Sequence, residues 1–131
     1  SRRPICHFDL ETSDYLTANR RHPDYTQKLP DGVRVMEILS KGVAEKVTKK
    51  FQIVNTTEAP YEIIWSRFDN DEIDPIACET QRVVISSGRR QTVTFSYMPN
   101  SAKTVESLWE FKIPEHGVTI PLLVVGRIIP Y

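Results

Sequence analysis

The stretch SLWEFKIPEHGVTIPLLVVG, residues 107–126, contains the two strongest apolar runs of the chain. In its first half, Trp109, Phe111 and Ile113 alternate with charged residues. A period of two is typical of a β-strand that has one face in a core and the other in water. The second half is almost continuously apolar, which is typical of a buried strand. These 20 positions therefore predict two adjacent strands, at about 106–113 and 119–129.

Between the two runs lies a Pro-Glu-His-Gly tetrad, which has two interpretations. Glu115 and His116 are an acid and a base side by side, and so form a candidate catalytic pair. Alternatively they occupy the centre of a tight turn, and Gly117 supplies the positive φ that such turns require. A hairpin tip offers no third group to orient His116 and no pocket to exclude water. We therefore predict a turn.

The same period of two recurs along most of the chain. It is clearest at residues 92–97, and shorter runs lie at 4–10, 33–39, 50–53, 61–66, 76–79 and 83–86. Turn residues separate these runs at short, regular intervals, which favours a β-sandwich or barrel. We predict an all-β sandwich whose core contains the large aromatic residues Phe51, Trp65, Phe95, Trp109 and Phe111.

Length and charge limit the possible functions. The chain has 131 residues, enough for one domain over 1–131, and we expect it to be a fragment of a larger multidomain protein. Seventeen basic and seventeen acidic residues give a net charge of zero, which argues against a nucleic-acid binder. Two cysteines, Cys6 and Cys78, lack the spacing of a metal site and are expected to be reduced. No membrane-spanning or signal segment is apparent.

Three short motifs resemble chemical sites. Cys6 and His7 are neighbours in a predicted strand, so their side chains project to opposite faces. Residues 69–74 are acidic but lack the glycine and glutamate positions of a calcium loop. Asn55-Thr56-Thr57 matches the N-glycosylation pattern, although a turn explains it better. We predict no enzymatic activity, no catalytic residues, no metal and no cofactor.

A polar connection at about 12–32 interrupts the strand pattern, and connections of this length are often functional. Tyrosine and arginine are enriched at binding hot spots. We therefore predict protein contacts at Tyr15, Arg20, Arg21 and Tyr25. Two other surfaces stay open as contact sites, namely an exposed sheet edge and the loop tips. A solvated loop without partners is the alternative for the connection.

Two stretches, KKFQIVNTTEAPYEIIW (49–65) and VVISSGRRQTVTFSYMP (83–99), resemble the ASH domains, which are relatives of the major sperm protein (MSP) and PapD-like domains. The resemblance implies an immunoglobulin-like β-sandwich of about seven to eight antiparallel strands. Two further stretches, PICHFDLETSDYL (4–16) and ESLWEFKIPEHGVTIPLLVVG (106–126), resemble modules of the hydin family of ciliary proteins.

The resemblance implies a structural module of the central pair apparatus in the axoneme of a motile cilium or flagellum. Its expected partners are axonemal and central-apparatus proteins and tubulin, with no nucleic acid, membrane or small-molecule substrate. The expected location is the axoneme, within the cytoplasm and cytoskeleton, and the isolated domain is expected to be monomeric. An alternative stays open: a peptide-binding adaptor of the major sperm protein kind, in trafficking or at the centrosome.

Overall fold

A computed structural model of the chain describes residues 4–18, 20–21, 28–67, 75–80 and 82–129. These residues form nine β-strands and one short 3-10 helix. The strands are β1 (Cys6–Asp9), β2 (Arg34–Ser40), β3 (Val47–Asn55), β4 (Tyr61–Arg67), β5 (Ile76–Cys78), β6 (Arg82–Ile85), β7 (Arg90–Tyr97), β8 (Val105–Ile113) and β9 (Val118–Ile128). The 3-10 helix covers Pro114–His116. The described residues contain no helix that is long and apolar enough to cross a membrane.

Two sheets pack face to face. Sheet A has four strands in the order β1-β3-β7-β5, and sheet B has five in the order β2-β9-β8-β4-β6. The predicted all-β sandwich is confirmed. Its details differ from the prediction, because nine strands are described and because β2 runs parallel to β9. Periodicity gives the faces of each strand but does not give the direction of its neighbour.

Aromatic side chains from both sheets fill the core. The five residues predicted for it are buried: Phe51, Trp65, Phe95, Trp109 and Phe111. The rings of Phe95 and Trp109 meet edge to face at 5.2 Å between centroids, which joins sheet A to sheet B. Edge-to-face pairs add about 0.5–1.5 kcal/mol beyond the area that they bury. The side chains that alternate towards the inner face of each strand therefore make the contacts between the two sheets.

The tetrad forms the connection between β8 and β9. The N–H of Gly117 donates to the carbonyl oxygen of Pro114 at 3.1 Å, and Gly117 has φ of 62°. The register Ile113↔Val118 continues into an antiparallel ladder on both sides. The prediction of a hairpin turn is confirmed. The ring of His116 also packs edge to face against Tyr61 of β4, which the sequence did not indicate.

Candidate protein-contact site

Tyr15, predicted to contact a partner, is fully buried against the outer face of sheet B. Its ring belongs to a second, smaller apolar cluster with Val35, Leu108, Leu123 and Val125. A side chain with no exposed surface cannot reach a partner, so the prediction of a contact at Tyr15 is wrong. The reason is packing, because the ring covers apolar residues on the outer side of three neighbouring strands.

Charged residues hold the same segment on sheet B. Glu106 of β8 is nearly buried and accepts hydrogen bonds from Tyr15 Oη at 2.7 Å and from Arg21 Nε at 3.1 Å. Glu37 of β2 lies within ion-pair distance of Arg20 at 3.5 Å and Arg127 at 3.6 Å. Buried carboxylates need such partners, because an unpaired charge there is strongly unfavourable. The segment is therefore attached to its own domain.

The predicted contact residues thus have different positions. Tyr15 is internal, and Arg21 is mostly covered by its pairing with Glu106. Arg20 keeps 43% of its side chain exposed and is the one described member with a free surface of useful size. Tyr25 lies outside the described residues. The structure brings Tyr15, Arg20 and Arg21 to one face of sheet B.

One long edge of sheet B, formed by β2, is partly blocked. The Val35 carbonyl oxygen accepts a hydrogen bond from Ser13 N at 3.0 Å. The Glu37 carbonyl oxygen accepts one from Lys49 Nζ at 2.8 Å. Both acceptors point away from β9, since residues of opposite parity, such as Ser40, bond on the β9 side. A lysine directed at a sheet edge is a common protection against pairing with another chain.

In sheet A, the side of β3 that faces β1 is only partly covered. Asn55 of β3 exchanges main-chain hydrogen bonds with the β7 side, whereas Thr56 N donates to Ile5 O on the β1 side. Because main-chain groups alternate in direction along an antiparallel strand, Gln52 and Val54 also point towards β1. By the same alternation, Thr48 and Lys50 point to that side, but β1 ends at Asp9 and does not reach them.

The chain leaves sheet A at this position. After Asp9 it crosses to sheet B, where Ser13 N bonds to Val35 O. The crossing leaves a groove of about 490 Å³ between the two sheets. Its lining consists of Glu11, Thr12, Ser13, Asp14, Glu37, Ile38, Leu39, Val47, Thr48 and Lys49. The sequence indicated an exposed sheet edge only in general terms, because the half of β3 that is open depends on where β1 leaves the sheet.

Asn55, the first residue of the glycosylation pattern, is fully buried. Its Nδ2 donates to the carbonyl oxygens of Ala59 and Ile85 at 2.9 and 2.8 Å, and its Oδ1 accepts from Thr57 N at 2.8 Å. An amide nitrogen held in this way is not accessible to a glycosyl transfer reaction. The pattern therefore marks a structural turn that connects β3 to β4 and β6.

The remaining chemical candidates that lie within the described residues do not assemble into a site. Cys6 is half-buried while its neighbour His7 is exposed, consistent with opposite faces of β1. Burial raises the pKa of both Cys6 and Cys78, so neither thiol is activated. Within the described part of the chain, no three metal-ligating side chains come together. The acidic stretch 69–74 lies outside the described residues.

Similar proteins were found both by sequence and by structure. No family model matches the sequence. The hydrocephalus-inducing protein of Mus musculus is 31% identical over 95% of the chain, and its homolog from Homo sapiens is 34% identical over the same share. The chain spans only 2% and 3% of the lengths of these curated relatives.

Among solved structures, the ASH/PapD-like domain 7 of human CEP192 superposes with a TM-score of 0.60. The match covers 85% of this chain and 96% of that domain, at 14% sequence identity. A FixG-related protein from Vibrio parahaemolyticus gives a TM-score of 0.54 and covers 97% of the chain at 10% identity. At such identities the likeness concerns the fold.

Proposed function

Since this chain has the fold of the ASH/PapD-like domains and resembles a segment of the hydrocephalus-inducing proteins, we propose that it is a non-enzymatic scaffolding module of a motile cilium. In this proposal it belongs to the central pair apparatus of the axoneme and supports beating through contacts with other proteins. The observation that carries it is the 31–34% identity over 95% of the chain. Its partners in this proposal are central-apparatus proteins and tubulin.

The physical properties of the domain are suited to such a role. Its two sheets share one closed aromatic core, and the outer face of sheet B carries a second apolar cluster under the segment around Tyr15. A module of this kind resists deformation, since opening it exposes large apolar side chains, each contributing about 1.5–3 kcal/mol when buried. Rigid modules are useful spacers along a filament that bends repeatedly.

The adaptor alternative, a peptide-binding domain in trafficking or at the centrosome, receives less support. Its main support is the fold shared with the CEP192 domain, and at 14% identity a shared fold does not imply a shared function. The two proposals differ in location. A scaffold module is expected in the axoneme, whereas an adaptor is expected outside it.

An antibody raised against the 131-residue chain tests the proposal in isolated, demembranated axonemes of the source cells. We expect the antigen to stay with the axoneme after detergent extraction and to be located at the central pair by immunogold labelling. Antibody that has been preadsorbed with the purified chain is the control. Antigen found only in the cell body would contradict the scaffold proposal and favour the adaptor.

A further inference from the structure

We propose that the open half of β3, around Thr48 and Lys50, is a strand-addition site for an extended segment of a partner protein. The inference rests on the proposed function as a protein-contact module, and it names the contact surface. The position is the one that β1 would occupy if it continued beyond Asp9. A partner segment there would extend sheet A alongside residues 47–51.

The main-chain groups of β3 favour this site. Gln52 and Val54 face β1, whereas Thr48 and Lys50, which point to the same side, face none of the nine described strands. Among the described residues, no hydrogen bond to the main chain of either residue on this side is present. Both residues are exposed. Two N–H and two C=O groups at a spacing of two residues match the main chain of an extended peptide.

The groove between the two sheets also favours this site. It lies beside this edge and offers space for the side chains of an added strand, with apolar surface from Leu39 and Val47. The opposite side of the groove does not compete, because Ser13 and Lys49 already occupy carbonyl groups of β2. An extended segment that enters the groove would therefore pair with β3 of sheet A.

Charge adds a preference for one kind of partner. Lys50 points outward from sheet A, and it forms no ion pair with any residue in the described part of the chain. Opposite charges on directly facing strand positions attract each other, and like charges repel. The partner segment is accordingly expected to alternate apolar and polar residues, with an acidic residue opposite Lys50.

An NMR titration tests the site with a defined probe. The probe is an acetylated and amidated peptide of alternating valine and threonine with one central glutamate, added to the 15N-labelled 131-residue chain. We expect amide shifts and slowed hydrogen exchange at Thr48 and Lys50. The matched probe carries N-methyl groups on the amides that face β3, and it should bind at least tenfold more weakly, because it loses those hydrogen bonds.

Substitutions in the chain give a second test. The double variant T48P/K50P removes two edge N–H groups that do not bond to β7, so the fold is expected to persist. It should weaken peptide binding about tenfold or more, and Lys50→Glu should reverse the preference for the acidic peptide. Equal binding by the N-methylated peptide, or shifts located at another strand, would overturn the proposal even if the double variant failed to fold.

Failure of this site and failure of the proposed function have different signatures. If the peptide does not shift Thr48 and Lys50 but the antigen is found at the central pair, the surface is wrong and the scaffold role stands. If the peptide binds at β3 and the antigen is absent from axonemes, the site is supported and the cellular role is wrong.

Discussion

Tyr15 donates a hydrogen bond of 2.7 Å from its hydroxyl group to Glu106 Oε2, across 91 positions of sequence. The bond joins the connection after β1 to the middle of sheet B. Arg21 donates to the same carboxylate, so one nearly buried acid holds two residues of the connection. What the sequence presents as a polar loop is, in its first part, an added layer of the domain.

Removing Tyr15 should therefore loosen this layer. Tyr15→Phe loses one hydrogen bond to a charged group and is expected to lower the unfolding free energy by about 1.5–3 kcal/mol. Tyr15→Ala also leaves a cavity in the apolar cluster and should lower it by about 3–5 kcal/mol. Urea denaturation measures both. Leu16→Ala is the matched control, since this neighbour is exposed and should change stability by less than about 0.5 kcal/mol.

Asn55→Ala is expected to be strongly destabilising. The variant removes the donor to the buried carbonyl oxygen of Ile85 and the acceptor of the Thr57 N–H, and a buried unsatisfied group costs about 1–3 kcal/mol. The carbonyl oxygen of Ala59 keeps the Thr57 hydroxyl group as its donor. Thermal unfolding of the variant should show a clearly lower midpoint. Asn100→Ala, at an exposed position, serves for comparison. Equal midpoints for the two variants would mean that the turn does not depend on Asn55.

Gly117 tests the hairpin. Its φ of 62° is unfavourable for a residue with a Cβ, but no atom lies within 4 Å of an added Cβ. Gly117→Val should therefore lower the unfolding free energy by about 1–2 kcal/mol or more through backbone strain alone. Gly42 also has open space and no positive φ, so Gly42→Ala should be neutral or slightly stabilising. His116→Ala loses one ring contact with Tyr61 and should have a small effect.

Gly126 is required for another reason, the close approach of the two sheets. A Cβ at this position in β9 would lie 2.5 Å from the ring of Tyr97 in β7. Gly126→Ala should therefore lower the unfolding free energy by about 1–3 kcal/mol through overpacking. In a double-mutant cycle, Tyr97→Leu should recover part of the loss by removing the ring. Strictly additive effects would contradict the contact.

High pH should destabilise the domain in part through Cys78. Burial raises the pKa of this thiol from 9.0 to about 11, and the protonated thiol donates to Thr80 O. In the unfolded chain the Cys78 thiol ionises above pH 9, whereas in the folded chain it stays protonated up to about pH 11. The contribution is therefore complete below pH 9 and is lost between pH 9 and 11. Urea titrations across this range should show a shallower decline for Cys78→Ala than for the unsubstituted chain.

The strand pattern and the core follow from local sequence. The aromatic residues of β7 and β8 alternate with polar residues, and alternation specifies which side of a strand is buried. The turn at Gly117 is also local, since it depends on the conformations available to a few neighbouring residues. These features were predictable because their physical causes lie within a few positions of one another.

The contact surface depends on long-range pairing. Tyr15 has the composition of a binding residue, yet Leu108, Leu123 and Glu106 form a site that buries it. The open edge at Thr48 and Lys50 exists because β1 ends at Asp9 and the chain then bonds to β2.

The sequence by itself determined the alternation, the turns and the membership of the core. Only the tertiary structure decided which polar residues face solvent, because the position of a neighbouring strand comes from residues far away in the chain.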